Sequence, residues 1–139
     1  NMSIYFGNAQ YVYDFIYSKV EESLFYGRPL KFVLIDMEAV NYIDATGAET
    51  VVRLTKDIQK LGVKVAFANI GCDVYPVLEN AGFDSIVETE LVFNAKGESI
   101  GKLFEKLDNN YCARTCKFVV FEECKTVKPK EKLQVLATV

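Results

Sequence analysis

The chain has 139 residues, half of them hydrophobic and a quarter charged, and its 16 Lys and Arg against 19 Asp and Glu give a net charge of −3. That balance suits one soluble globular domain with a sizeable core and excludes the basic footprint of a nucleic-acid binder. There is no histidine, hence no ordinary neutral-pH general base, and there is neither a signal-peptide pattern nor an apolar run long enough to span a bilayer.

Ser3-Ile4-Tyr5-Phe6 predicts a short strand. Asn8 follows as an N-cap for a helix whose apolar stripe is Val12, Phe15, Ile16, Val20 and Leu24. Tyr5, Tyr11, Tyr13, Tyr17 and Tyr26 crowd this opening. Tyr13 and Tyr17 are four apart and share a face, which suits either half-buried packing or an amphipathic interface. Gly27-Arg28-Pro29 ends the helix, and residues 30–37 predict a second strand, apolar on both faces as in a covered parallel sheet.

A loop through Asp44-Ala45-Thr46-Gly47 then leads into a helix over 46–61, whose stripe is Val51, Val52, Leu54, Ile58 and Leu61 and which Gly62 stops. Thr46 and Glu49 match a capping box, in which the hydroxyl accepts from a backbone N–H three residues on and the carboxylate reaches back. A hydroxyl at that helix start suits capping, recognition or phosphorylation.

Residues 63–68 predict a third strand and Asn69-Ile70-Gly71 a turn. Asp73 is expected to cap a helix carrying Val74, Val77 and Leu78 and ending at Ala81-Gly82. Ser85-Ile86-Val87 reads as a fourth strand, Leu91-Val92-Phe93 as a connection, and 99–107 as a last helix. Strands alternating with helices define an α/β class, with a central, mostly parallel sheet of about four to five strands, about four helices and right-handed crossovers.

The pattern changes after Asn110, so residues 1–110 are expected as the domain and 111–139 as a C-terminal appendage. The appendage holds an apolar run, Phe118-Val119-Val120-Phe121, expected to dock on the domain or on another copy. It also holds Lys125, Lys128, Lys130 and Lys132, read as a solvated tail, and an isolated apolar stretch at 133–139.

The Ile-Asp-Ala-Thr-Gly-Ala turn after a long strand, set in this alternation and followed by an amphipathic helix, resembles a STAS domain over roughly residues 3–108. Such domains occur as bacterial anti-sigma-factor antagonists and as the cytoplasmic C-terminal domain of SulP-type anion transporters. The family's Asp-Ser-Ser-Gly or Asp-Ser-Thr-Gly turn stands here as Asp44-Ala45-Thr46-Gly47. The resemblance maps the antagonists' phosphoacceptor onto Thr46, with Ala45 replacing the preceding hydroxyl. Ile4-Tyr5-Phe6-Gly7-Asn8-Ala9 is similar to the Phe-Ala-Asn-Ala lead-in of the transporter domains, and the segment from Cys112 to Cys124 to a cysteine-containing tail of some bacterial permeases.

The resemblance implies a regulatory or interaction domain of an anion transporter at the cytoplasmic face of the inner membrane, for sulfate, bicarbonate or a dicarboxylate. Its partners would be the membrane domain of the same transporter and a cytosolic protein or a homodimer mate, with no nucleic acid. The alternative is a freestanding antagonist controlled by phosphorylation at Thr46.

Asp44, Thr46, Gly47 and Glu49 are thus the candidate phosphoacceptor or partner-contact turn. No catalytic function is expected of them, since no His, Lys or metal motif converges on Asp44 and Glu49. No cofactor is expected either, because Gly71 lies where a phosphate loop would but within no glycine-rich phosphate motif. Cys112, Cys116 and Cys124, spaced C-x3-C-x7-C, offer three metal ligands where structural zinc takes four; plain thiols are the first expectation, ahead of a disulfide or a metal.

Overall fold

The computed structural model describes residues 2–27 and 29–127. The lysines at 128, 130 and 132 and the apolar stretch at 133–139 lie outside the described residues. The chain divides into two compact units, one up to Ser99 and one from Ile100.

The first unit alternates strands and helices: β1 (Met2–Ile4), α1 (Ala9–Phe25), β2 (Phe32–Asp36), β3 (Val40–Ile43), α2 (Ala45–Lys60), β4 (Lys64–Ala68), α3 (Tyr75–Asn80) and β5 (Val92–Phe93). All strand pairs are parallel and fall into two ladders, β1–β3 and β2–β4–β5. The five strands match the expected number, but they do not form one continuous sheet.

β4 is the central strand. Its Lys-Val-Ala-Phe-Ala sequence buries Val65, Ala66, Phe67 and Ala68, with β2 and β5 along its two edges and α2 packed against it. It aligns Phe32 with Lys64 through Asp36 with Ala68 on one side, and Phe67 with Val92 on the other.

α2 packs its Ala48, Val51, Val52, Leu54 and Ile58 stripe into the core, as the 3.6-residue period dictates. Two threonines share that buried face without polar cost. Thr50 donates to the Thr46 carbonyl and Thr55 to the Val51 carbonyl, each at 2.8 Å. Among the described residues no buried side-chain polar atom lacks a partner.

Four expectations are corrected here. Residues 85–87 are not a strand: a 3₁₀ turn occupies Phe83–Ser85, left-handed Gly82 (φ 88°) reverses the chain before it, and the Ser85 hydroxyl donates to the Gly82 carbonyl at 2.7 Å. Strand β5 arises instead at Val92–Phe93, inside the expected connection, because those residues reach the free edge of β4. Strand β3, expected as loop, pairs with β1 through Ser3–Tyr42 and Ile4–Ile43. Asp73 does not cap α3, whose N-cap is Val74 and has no side-chain cap bond.

Asn8 is the N-cap residue of α1, as expected, and its carbonyl accepts from the Val12 amide, but its side chain makes no cap bond. It ties the preceding turn, accepting from the Tyr5 amide at 2.9 Å and donating to the Ser3 carbonyl at 2.7 Å.

Helix α4 (Lys96–Glu105) begins three residues before the expected one. The second unit also contains α5 (Asn109–Arg114), capped by Asp108 at the Asn110 amide, and α6 (Cys124–Val127). Phe118 and Val120 of the apolar run are exposed, and Lys125 pairs with Glu122 at 2.6 Å.

Candidate functional site

The Asp44–Gly47 turn joins three elements at one point. β3 ends at Ile43 and α2 starts at Ala45, which leaves Asp44 as the N-cap with extended backbone (φ −94°, ψ 176°). Its carboxylate uses both oxygens: one accepts from the Gly47 amide at 2.7 Å, closing the first turn of α2, and the other accepts from the Phe6 amide at 3.0 Å, after β1. The Asp44 amide donates to the Ile4 carbonyl at 3.1 Å. One aspartate therefore caps a helix and pins the loop after β1 to it. The Phe6 and then the Gly47 N–H hold its carboxyl below the usual carboxylate range. An ionised acceptor bound to two backbone donors is a structural clamp and a poor general base.

This overturns the expected capping box. Thr46 is the second residue of the helix, not its cap, and its carbonyl rather than its hydroxyl is the bonded group, accepting from Thr50. The cap moves because Asp44 has the reach and extended backbone an N-cap needs, while Thr46 is already helical.

Gly47 is fixed by contact. A Cβ at this position would lie 2.6 Å from the Ile4 carbonyl oxygen and 3.0 Å from Ile43 Cγ1. The close approach of β1 to α2 requires glycine here.

Thr46 and Glu49 are exposed and line a cleft of about 400 Å³ with Phe6 from the loop after β1, Gln10 from the start of α1, and Thr50 and Arg53 from α2. Arg53 donates to Gln10 Oε1 at 2.9 Å, and its guanidinium lies 4.7 Å from the centre of the Tyr13 ring. Tyr13 donates to Asp57 at 2.8 Å, and Lys60 pairs with Asp57 at 2.7 Å. Burial and then that Asp57 bond push the Tyr13 phenol up to about 12. A polar seam thus continues from the cleft along the α1–α2 contact. Tyr13 and Tyr17 stack at 5.5 Å inside it, half-buried, whereas Tyr11 and Tyr26 are exposed.

The structure thus gathers Asp44, Thr46, Gly47 and Glu49 at one helix start, with Asp44 and Gly47 holding the backbone and Thr46 and Glu49 facing solvent. Sequence reasoning missed Phe6, Gln10 and Arg53. Arg53 was within reach of it, since it stands seven residues after Thr46 and four after Glu49, on the same helical face.

The cysteines lie elsewhere: Cys72 is exposed and Cys112, Cys116 and Cys124 are half-buried thiols. Among the described residues no group of three or more Cys, Asp or Glu is arranged to hold a metal ion. No helix of the described residues is long and apolar enough to cross a membrane.

The STAS domain family profile matches residues 1–108. Sulfate transporter 1.1 of Arabidopsis thaliana is 28% identical over 103 residues, which cover 70% of this chain but 16% of the plant protein. The chain therefore spans about a sixth of the length of that curated relative. Among solved structures, a sulfate transporter family protein from Wolinella succinogenes superposes with a TM-score of 0.61 at 24% identity, covering 77% of this chain and 84% of the other. A Thermotoga maritima protein assigned as an anti-sigma factor antagonist superposes at 0.58 with 17% identity, covering 73% and 80%. At those identities the two structures bear on the fold alone.

Proposed function

The chain belongs to the STAS family, and from that membership we propose that it is a non-catalytic regulatory and interaction domain of a SulP-type anion transporter, working at the cytoplasmic face of the membrane. The observation that carries this reading is the match to a sulfate transporter over 103 residues, beside the STAS family match to residues 1–108. The family match ends at residue 108, which supports a domain of residues 1–110 with 111–139 as an appendage.

In this reading the cleft beside Thr46 is the contact surface. Asp44 and Gly47 hold the backbone rigid beneath it, while Thr46, Glu49 and Arg53 present a hydroxyl, a carboxylate and a guanidinium. The partner is the membrane domain of the same protein or a cytosolic protein, and the transported anion is sulfate, bicarbonate or a dicarboxylate.

The test is uptake of each labelled anion by cells expressing the full reading frame, with the native turn and with Thr46→Glu. Uptake of one anion that changes with Thr46→Glu while protein abundance holds supports the proposal. A frame lacking membrane spans removes it.

A second reading, an antagonist switched by phosphorylation at Thr46, is favoured by the exposed hydroxyl at the first turn of α2. The dipole of a helix start favours an added phosphate, against the repulsion of the ionised Asp44 and of Glu49 nearby. Mass spectrometry of the protein from its native cells would detect the phosphothreonine.

A further inference from the structure

The loop between β1 and α1 is tied down at almost every step. The Tyr5 amide donates to Asn8 Oδ1 at 2.9 Å, and the Phe6 amide donates to Asp44 at 3.0 Å. The Tyr5 carbonyl accepts from the Asn8 amide at 3.0 Å and from the Ala9 amide at 2.9 Å. The Asn8 side chain donates in turn to the Ser3 carbonyl. The Tyr5 ring lies over Gly7, where an added Cβ would meet Tyr5 Cε2 at 2.7 Å.

What this rigid loop carries is apolar and faces outward: Phe6 is 81% exposed and Tyr5 47%. An exposed apolar side chain needs no explanation by itself. Phe6 differs from the others in how it is held. Phe25 is 84% exposed at the end of α1 and meets the ring of Tyr26, its neighbour in sequence. The Phe6 backbone is instead bonded to a carboxylate 38 residues away, the same one that caps α2. A loop ordered before contact loses little entropy on contact, and aromatic side chains are enriched at the centres of interfaces.

We propose that Phe6 is the anchor by which this domain docks on the membrane domain of its own transporter, its ring entering an apolar pocket that has a Lys or Arg at the rim facing Glu49. The inference rests on the transporter reading and names the residue that makes the contact. The surroundings of the ring set the partner's chemistry. Phe6 lines the cleft together with Thr46 and Glu49, and among the described residues Glu49 has no ion pair. Arg53 is already engaged by Gln10 and by the Tyr13 ring. An anionic lipid surface or a nucleic-acid backbone would meet the carboxylates of Asp44 and Glu49 here, so the partner is a protein. One aromatic anchor beside a small cleft falls short of the about 1,000 Å² that holds free proteins together. It suffices for a partner in the same polypeptide, where a tether supplies an effective concentration of about millimolar.

The experiment uses the full transporter in its membrane, with the photo-cross-linking residue benzoylphenylalanine at position 6 or, for comparison, at position 25. The coupled peptides are identified by mass spectrometry after irradiation and digestion. Phe6→benzoylphenylalanine should couple to a membrane-domain peptide that carries a Lys or Arg, with a yield about tenfold above that of Phe25→benzoylphenylalanine. Glu49→Lys should lower that yield, and reversing the charge of the basic residue in the coupled peptide should restore it. Equal yields from the two positions overturn the proposal. So does coupling from position 6 to a cytosolic protein, a lipid or the same domain of a second copy, and so does a yield that Glu49→Lys leaves unchanged. A reading frame without membrane spans removes the transporter reading and this proposal with it. Anion transport by a protein whose position 6 couples to nothing removes this proposal alone.

Discussion

α1 and α2 are nearly equal in length and lie against each other, yet α2 buries eight of its sixteen residues and α1 buries two of its seventeen. α2 is wedged among α1, α3 and β4, and its start is clamped by Asp44 to the loop after β1. α1 meets α2 along the polar seam of Gln10, Tyr13, Arg53 and Asp57 and turns Tyr11 and Phe15 over an apolar groove beside β2. Amphipathic patterning alone does not separate these roles. The core holds α2 so firmly that its first turn can serve as a fixed platform, whereas α1 carries apolar surface that the described residues do not cover.

The sharpest way to break this comparison is to truncate one apolar side chain from each helix. Ile58 is completely buried on α2, so Ile58→Ala should cost about 2–5 kcal/mol through lost transfer energy and an unfilled cavity. Phe15 of α1 is 56% exposed, and Phe15→Ala in this chain should stay within about 0.5 kcal/mol. Urea unfolding of both variants checks this. Equal losses would mean that the exposed face of α1 contributes as much to stability as the buried stripe of α2.

Much of this arrangement was legible in the sequence. The Val51, Val52, Leu54 and Ile58 stripe and the apolar run of β4 announce themselves by period and length, because each depends on burial that a local pattern encodes, whereas β2, expected to be covered on both faces, is only half-buried throughout. The failures share one cause. Strands β3 and β5 are four and two residues long and exist only because β1 and β4 offer edges, which no local pattern records. The cap at Asp44 rather than Thr46 depends on where Ile43 leaves β3, again a tertiary fact. Phe6 and Gln10 reach the cleft only through the fold-back of α1 onto α2.

A smaller effect sharpens the comparison through pH. The Asp44 carboxyl is lowered in the fold, so its contribution is present above the ordinary carboxylate pKa and is lost as pH falls through the folded value. Asn also accepts the cap bond, so Asp44→Asn should keep most of the melting temperature at neutral pH and flatten part of its fall in acid. The flattening is partial because Asp36, bonded to Asn69, and Asp57, bonded to Lys60, are lowered too. At the other limb Tyr13 is raised from 10.0 to about 12, so what it contributes is complete below pH 10 and disappears as pH rises toward 12. Tyr13→Phe should remove that alkaline step and, since it also removes one of the bonds that lower Asp57, change the acid limb only by that smaller part. Thermal melts across both limbs distinguish the clamp at the head of α2 from the seam it shares with α1.

The smallest expected effect is the most informative about the site. Thr46 sits at the proposed contact turn, but its side chain is exposed and makes no capping bond, and its backbone does the structural part by accepting from Thr50. Thr46→Ala keeps that carbonyl, and alanine is a better helix former than threonine. The variant should therefore melt within about 0.5 kcal/mol of the native chain, as an exposed substitution does. A Thr46→Ala protein that keeps its stability yet loses partner binding or transport control would show that the hydroxyl acts outward from a platform built by Asp44 and Gly47. A loss near the 1 kcal/mol or so expected of a missing cap would return Thr46 to a structural role and move the contact surface toward Glu49 and Arg53.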